Sequence, residues 1–176
     1  MNLIVAMNEH NVIGDGERLL WNISDDLKRF KSLTVGQIVI MGRKTFDSLP
    51  FSTGLPGRIN VVLTRDPEKY CAIRGVLYFA NEHSLDNILS IVDKQDKLMY
   101  VIGGSEIYNM LLSRCNTINI TKIFGHPVTD GVKFDCDLSD FLKINESERF
   151  KSNDLEFQYQ YYIRRTHNTV AHSAWD

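Results

Sequence analysis

The stretch Gln37-Ile38-Val39-Ile40-Met41-Gly42-Arg43-Lys44-Thr45 passes from an unbroken apolar run straight into a glycine, two cations and a hydroxyl. A short run rich in Val and Ile with no polar alternation reads as a strand buried on both faces. The pattern from Lys44 to Leu49 places apolar residues three or four apart and reads as a helix. A buried strand that turns into a helix through glycine is the opening of a βα unit, and the same arrangement recurs along the chain. Strand-like runs fall at Ile59 to Leu63, Val76 to Phe79, Leu98 to Ile102 and Thr117 to Phe124. Helical patterns fall at Ser24 to Leu33, Leu85 to Val92 and Glu106 to Leu112. This alternation predicts an α/β fold with a mainly parallel central sheet flanked by helices. Phe157 to Ile163 partly alternates with no helix before it, which predicts an antiparallel C-terminal edge strand or hairpin.

The chain has 176 residues with 43% hydrophobic content, which suits one domain with a buried core. We read that domain as residues 1–167, followed by a short polar tail at 168–176 that packs on the surface or has no structural role. Twenty Lys and Arg against 22 Asp and Glu give a net charge of −2. No general basic field exists to hold nucleic acid or an anionic membrane. The opening Met1 to Met7 stops at Asn8-Glu9-His10, has no basic lead and is too short for a membrane span, so it reads as a first buried strand. Cys71, Cys115 and Cys136 form no CxxC pair, and the scattered histidines offer no metal spacing. No metal is expected, and free thiols suit a cytoplasmic setting.

Three segments look suited to anions, because ligands of parallel sheets bind beyond the carboxyl ends of strands, near helix N-termini. They are Gly42-Arg43-Lys44-Thr45, Leu63-Thr64-Arg65 and Gly103-Gly104-Ser105. Each alone is equally a tight turn with solvated cations. Together they point to a ligand with several phosphates, and two arginines beyond what a pyrophosphate needs suit the extra 2′-phosphate of NADPH. Gly14-Asp15-Gly16 is not a dinucleotide fingerprint, because no helix follows, and no Walker loop is present.

One carboxylate stands out. With Ser24 as N-cap and about 100° per residue, Asp26 lies inside the apolar arc of its helix with Leu27, Phe30 and Leu33, while Asp25 lies on the wet side with Arg29. Asp26 is then either an ordinary first-turn acid or a carboxylate in a functional pocket, with a raised pKa or a cationic partner.

Taken in order, LIVAMNEHNVIG (3–14), LWNISDDLKRFK (20–31), IVIMGRKTFDSLP (38–50), LPGRINVVLTR (55–65), VIGGSEIY (101–108) and INITKI (118–123) resemble the dihydrofolate reductase family. The resemblance runs from Leu3 to about Arg164. It implies an eight-stranded, mainly parallel sheet with an antiparallel C-terminal strand, and reduction of 7,8-dihydrofolate to tetrahydrofolate by NADPH. Asp26 would assist protonation of N5, in a network with Thr121 and the pterin, and Trp21 would hold a water. Ile4, Val5, Leu27, Phe30, Leu49 and Ile102 would line the folate pocket, with Ile4 and Ile102 acting partly through their carbonyls. Arg58, by itself only a turn arginine, would pair with the α-carboxylate of the glutamate tail. Ala6, Ile13, Gly14, Thr45, Gly103, Gly104 and Tyr108 would contact the nicotinamide half of the cofactor, with a cis peptide at Gly103-Gly104. Tyr108 reads equally as a core aromatic. Gly42, Arg43, Lys44, Leu63, Thr64, Arg65, Ser105, Glu106 and Ile107 complete the expected cofactor site. Antifolates such as methotrexate would bind, and the family implies a monomer. Two alternatives share enough of the pattern to stand at this stage: a pyrimidine reductase of riboflavin synthesis, and a non-catalytic folate-binding protein.

Overall fold

The structure is a computed structural model that describes residues 1–16, 20–93 and 96–166; the tail expected at 168–176 lies outside the described residues. Along the chain run β1 (Asn2–Asn8), β2 (Val12–Gly14), α1 (Ser24–Thr34), β3 (Ile38–Gly42), α2 (Arg43–Asp47), β4 (Ile59–Leu63), β5 (Leu77–Ala80) and α3 (Leu85–Val92). They are followed by β6 (Met99–Gly103), α4 (Ser105–Leu111), β7 (Thr117–Phe124), β8 (Val132–Lys133), β9 (Phe141–Glu146), β10 (Phe150–Ser152) and β11 (Leu155–Arg164). Every expected strand and helix is present, with ends displaced by a residue or two.

The central sheet has the order β10-β11-β7-β1-β6-β3-β4-β5. Neighbours from β7 to β5 pair in parallel. β11 runs antiparallel to β7, as its alternating sequence predicts, and the outermost position is shared end to end by β10 and β9, both antiparallel to β11. Those two short strands, and the small β2-β8 sheet, have no counterpart among the sequence expectations. β9 exposes all but its first residue, so it lacks the apolar signal of the inner strands.

Alternation along the inner strands divides the core in two. Leu3, Val5, Ile38, Ile40, Val61 and Val101 face one side, where Leu85, Leu89 and Val92 of α3 and Ile107, Tyr108 and Leu111 of α4 cover them. Ile4, Val39, Met41 and Val62 face the other side and pack with Phe30 and Leu33 of α1 and Phe46 of α2. Successive strand residues point to opposite faces, so a strand covered on both sides must be apolar throughout. β3 is buried at all five positions. From β1 the chain passes outward to β3, β4 and β5, returns to β6 beside β1, and then crosses to β7. The connections leaving β1 and β6 thus diverge, which opens a crevice at the carboxyl ends of the strands.

A buried amide organises one wall of that crevice. Asn60 is wholly inaccessible; its Oδ1 accepts from the Leu55 N–H at 2.8 Å, and its Nδ2 donates to the carbonyls of Leu55, Arg58 and Val76 at 3.1 to 3.3 Å. The loop before β4 folds tightly over this side chain. At Gly54, with φ +82°, a Cβ would come within 2.4 Å of the Asn60 amide carbon, so only glycine fits. Replacing Asn60 leaves several buried backbone groups without partners. Asn60→Ala is expected to lower unfolding stability by about 2–3 kcal/mol. Urea titration followed by tryptophan fluorescence should show a lower midpoint at unchanged slope.

Candidate active site

α1 begins differently from expectation. Ile23, not Ser24, occupies the N-cap position, and no side chain among the described residues caps the helix. Ile23 is buried with Trp21, Ile123 and Phe157, so apolar packing of the entering chain sets the start of the helix. Asp25 and Asp26 fill the first turn. Asp25 is exposed and pairs with Lys28 at 3.0 Å. Asp26 turns toward the sheet, where the Thr121 hydroxyl donates to its Oδ1 at 2.6 Å. Burial raises the Asp26 pKa above the usual carboxylate range, opposed by the Thr121 hydrogen bond and the positive charge of Arg29.

Arg29 does not share the wet side with Asp25. Its Nη2 donates to Asn119 Oδ1 at 2.9 Å, and its guanidinium lies 4.4 Å from the centroid of the Tyr159 ring. Three residues beyond Asp26 on a helix is about 60° from it, near enough for a long stem to follow the carboxylate to the sheet.

β7 carries Thr121 opposite Ala6 of β1 and Tyr159 of β11. Trp21 is buried nearby with its ring edge-on to His126 at 5.6 Å, and its Nε1–H has no hydrogen-bond partner among the described residues. Ile4 and Val5 are buried in β1, and Phe30, Leu49 and Ile102 are partly buried around the second core cluster. Leu27 is 49% exposed, as an apolar residue facing an open cleft would be. Arg58 sits at the far end of α1: its Nε and Nη2 donate to Thr34 Oγ1 at 3.1 and 3.0 Å, its Nη1 donates to the Pro56 carbonyl, and its guanidinium lies 5.8 Å from the Phe30 ring.

The glycine and cation segments converge at the carboxyl ends of adjacent strands. Gly42 ends β3, with Arg43, Lys44 and Thr45 opening α2; Leu63 ends β4, with Thr64 and Arg65 beyond it; Gly103 ends β6, with Gly104 and then Ser105, Glu106 and Ile107 opening α4. Lys44 and Arg65 are exposed, and Arg43 is paired with Asp47 one turn on. The Gly103-Gly104 peptide is cis. Gly103 has φ +120°, and a Cβ there would meet the Tyr108 hydroxyl at 3.1 Å. That hydroxyl donates to the Ile4 carbonyl at 2.8 Å, so Tyr108 is both a core aromatic and a tie between the glycine turn and β1. Ile13 and Gly14 lie in β2, which pairs with β8, and Ser105 Oγ joins the same region by donating to the Lys133 carbonyl.

The expected residues thus lie along α1 and the carboxyl ends of the strands, with the Asp26, Thr121 and Trp21 group at one part, the Arg58 end of α1 at another and the glycine and cation turns at the strand ends; Val5 departs from the expectation, its side chain packing on the opposite face of the sheet with α3 and α4. Sequence reasoning missed Arg29, Asn119, Tyr159 and Asn60. The spacing of Arg29 from Asp26 was the one available signal; the others depend on strand register.

A family model described as dihydrofolate reductase matches residues 1–165. The bifunctional dihydrofolate reductase-thymidylate synthase of Paramecium tetraurelia is 31% identical over 173 residues, covering 93% of this chain and 34% of that protein. The chain thus spans about a third of that relative. The dihydrofolate reductase of Lactococcus lactis is 30% identical over 163 residues, covering 92% of this chain and 94% of that one. Among solved structures, a dihydrofolate reductase from Enterococcus faecalis complexed with NADP(H) and RAB-propyl aligns with a TM-score of 0.78 at 27% identity, covering 94% and 96% of the two chains.

The raised pKa of Asp26 has a consequence for stability. Between its ordinary value and its folded value the folded protein binds more protons than the unfolded chain, so stability falls as pH rises through that window and stays lower above it. Asp26→Asn should therefore unfold at higher urea than the parent at pH 7 without ligand, with the difference shrinking toward acid pH. An Asn variant no more stable than the parent at pH 7 would contradict this sign.

Proposed function

The chain belongs to the dihydrofolate reductase family, and we propose that it reduces 7,8-dihydrofolate to 5,6,7,8-tetrahydrofolate with NADPH, Asp26 assisting protonation of N5. The observation that carries this reading is the partly buried Asp26, bonded to Thr121 and raised in pKa, in the crevice whose strand ends present the glycine and cation turns. The residues present fit the cofactor: the glycines at 42, 103 and 104 let Ile107, Tyr108 and Thr45 pack closely against the turns at the strand ends, and Arg43, Lys44, Thr64 and Arg65 offer charge and hydroxyls to phosphates. NADPH, when bound, supplies the hydride delivered to C6.

The protein's own residues then bind, orient and handle the proton. Thr121 holds one Asp26 oxygen, which leaves the other to the pterin. Desolvation keeps a proton on or near that carboxyl closer to neutral pH than an exposed aspartate would allow, and a water takes it on to N5. The buried Trp21 N–H, without a partner among the described residues, suits that water. Ile4, Leu27, Phe30, Leu49 and Ile102 supply apolar walls that exclude bulk solvent, while Val5, whose side chain packs in the core covered by α3 and α4, borders the pocket only through its backbone. Ile4 adds a carbonyl acceptor, since its oxygen keeps a second lone pair after accepting from Tyr108, and the Ile102 carbonyl would add another. Ala6, Ile13, Gly14, Thr45 and Tyr108 border the nicotinamide half of the cofactor, and Gly42, Leu63, Ser105, Glu106 and Ile107 complete its cradle. Arg58, pre-set by Thr34 and the Pro56 carbonyl, presents its fork to the carboxylate of the glutamate tail.

Mixing the protein with NADPH and dihydrofolate should give a methotrexate-sensitive loss of reduced-nicotinamide absorbance; binding of methotrexate without turnover would favour a retained binding fold instead. Turnover should fall as pH rises, because the step needs a proton. Asp26→Asn should lower turnover at pH 7 by about a hundredfold or more, with partial recovery in acid. A near-parental rate at pH 7 would remove Asp26 from the mechanism. Arg58→Leu should raise KM for dihydrofolate by about ten- to a hundredfold with little change in kcat, the loss of one charge-assisted fork.

A further inference from the structure

α1 is fastened to β7 at two successive places. Asp26 meets Thr121 at 2.6 Å and Arg29, three residues on, meets Asn119 at 2.9 Å. Thr121 and Asn119 are two residues apart on one strand and so share a face. Both are nearly inaccessible, at 2% and 7% exposure. In the neighbouring strand, Tyr159 is the register partner of Thr121 and Tyr161 that of Asn119, and the Arg29 guanidinium rests on the Tyr159 ring. The cation is therefore held on the same patch of sheet as the acid.

We propose that Arg29 is a positioning residue for proton delivery: clamped by Asn119 and Tyr159, its guanidinium is a fixed positive charge on the same patch of sheet as Asp26 that lowers the pH at which this carboxyl gives up its proton. The proposal rests on Asp26 being the carboxyl that handles the proton. The anchors of Arg29 are a neutral amide and a phenol ring, so the charge is held without occupying the second oxygen of Asp26.

The other groups around the carboxyl do not supply that charge. From α1, Asp25 carries the opposite sign and is turned to Lys28. From β7 come the neutral Thr121 and Asn119. From β11 comes the Tyr159 phenol, whose own pKa is raised first by burial and further by the negative charge of Asp26. From β6, Tyr100 feels Arg29 in the lowering sense, against a larger burial effect. Against the burial that pushes Asp26 upward stand first the Thr121 hydrogen bond and then the charge of Arg29, the one cation among these groups. Without it, Asp26 would stay protonated to higher pH.

The test is a titration of the Asp26 carboxyl by ¹³C NMR on protein labelled at aspartate, the signal assigned with Asp26→Asn, beside the pH profile of kcat for dihydrofolate. In Arg29→Gln the Asp26 midpoint should move up, and the rate on the alkaline side of the limb should rise about three- to tenfold. Arg29→Lys, which keeps the charge, should stay near the parent. An unmoved Asp26 midpoint in Arg29→Gln overturns the proposal, as does an equal shift in both variants, which would mark a packing effect. If Arg29→Gln fails to fold, Asn119→Ser, which frees the guanidinium, should move the midpoint the same way by less; no movement there overturns it equally. Should the carboxyl midpoint move while the rate profile does not, the role of Asp26 in the reaction fails and the electrostatic coupling to Arg29 stands.

Discussion

The seating of α1 against β7 is the constraint on which the crevice depends. A carboxylate placed on the buried side of a helix is costly unless something receives it, and a lone hydroxyl at 2.6 Å is the receiver here. That hydroxyl sits where it does because β7 pairs in parallel with β1 on one side and antiparallel with β11 on the other, which leaves Thr121 almost without exposure. Slipping β7 by one residue would carry Thr121 to the other face and strand the acid. The sheet register and the chemistry of the site are the same fact seen at two scales.

How much of this could be read in advance follows from the range of the forces involved. β3 announces itself because it is covered on both faces and is apolar throughout, and β4 departs from that only at Asn60, whereas β7 is marked by Ile118, Ile120 and Ile123 set among Thr117, Asn119 and Thr121. The glycine turns at 42 and 103 are legible for a related reason, since the Ile107 and Tyr108 side chains pack where a Cβ would stand. β2 and β8 are three and two residues long and come from segments far apart in the chain, so no local pattern marks them. β9 is similarly silent, being solvated along most of its length. The helical wheel located Asp26 on its apolar side but misplaced Arg29. A wheel places the Cα, whereas the destination of a long side chain is decided by what lies within reach of its head group.

Two side chains outside the acid group carry comparable structural weight. Asn60 folds the loop before β4 around itself, and Tyr108 ties the cis Gly103-Gly104 turn to the β1 carbonyl at Ile4. Both are buried polar groups with their partners in place, which makes them rigid points rather than liabilities. Each connects a strand end to a segment that borders the crevice, so the walls are held from within the core and not by surface ion pairs, which contribute little.

Arg58 is not fastened to its own loop alone. Its guanidinium is held by Thr34, the last residue of α1, whose first turn bears Asp26. Eight residues of helix separate the two, a span of about 12 Å along the axis. Under the proposed function the helix works as a ruler: its ends would mark where an acidic tail is gripped and where a ring is protonated, and the interval cannot be adjusted without rebuilding the helix. A ligand that reaches only one mark is held at a single point and is free to pivot, whereas one that spans both is registered lengthwise. Selection by molecular length is thus built into the backbone, apart from any match of individual side chains to the ring.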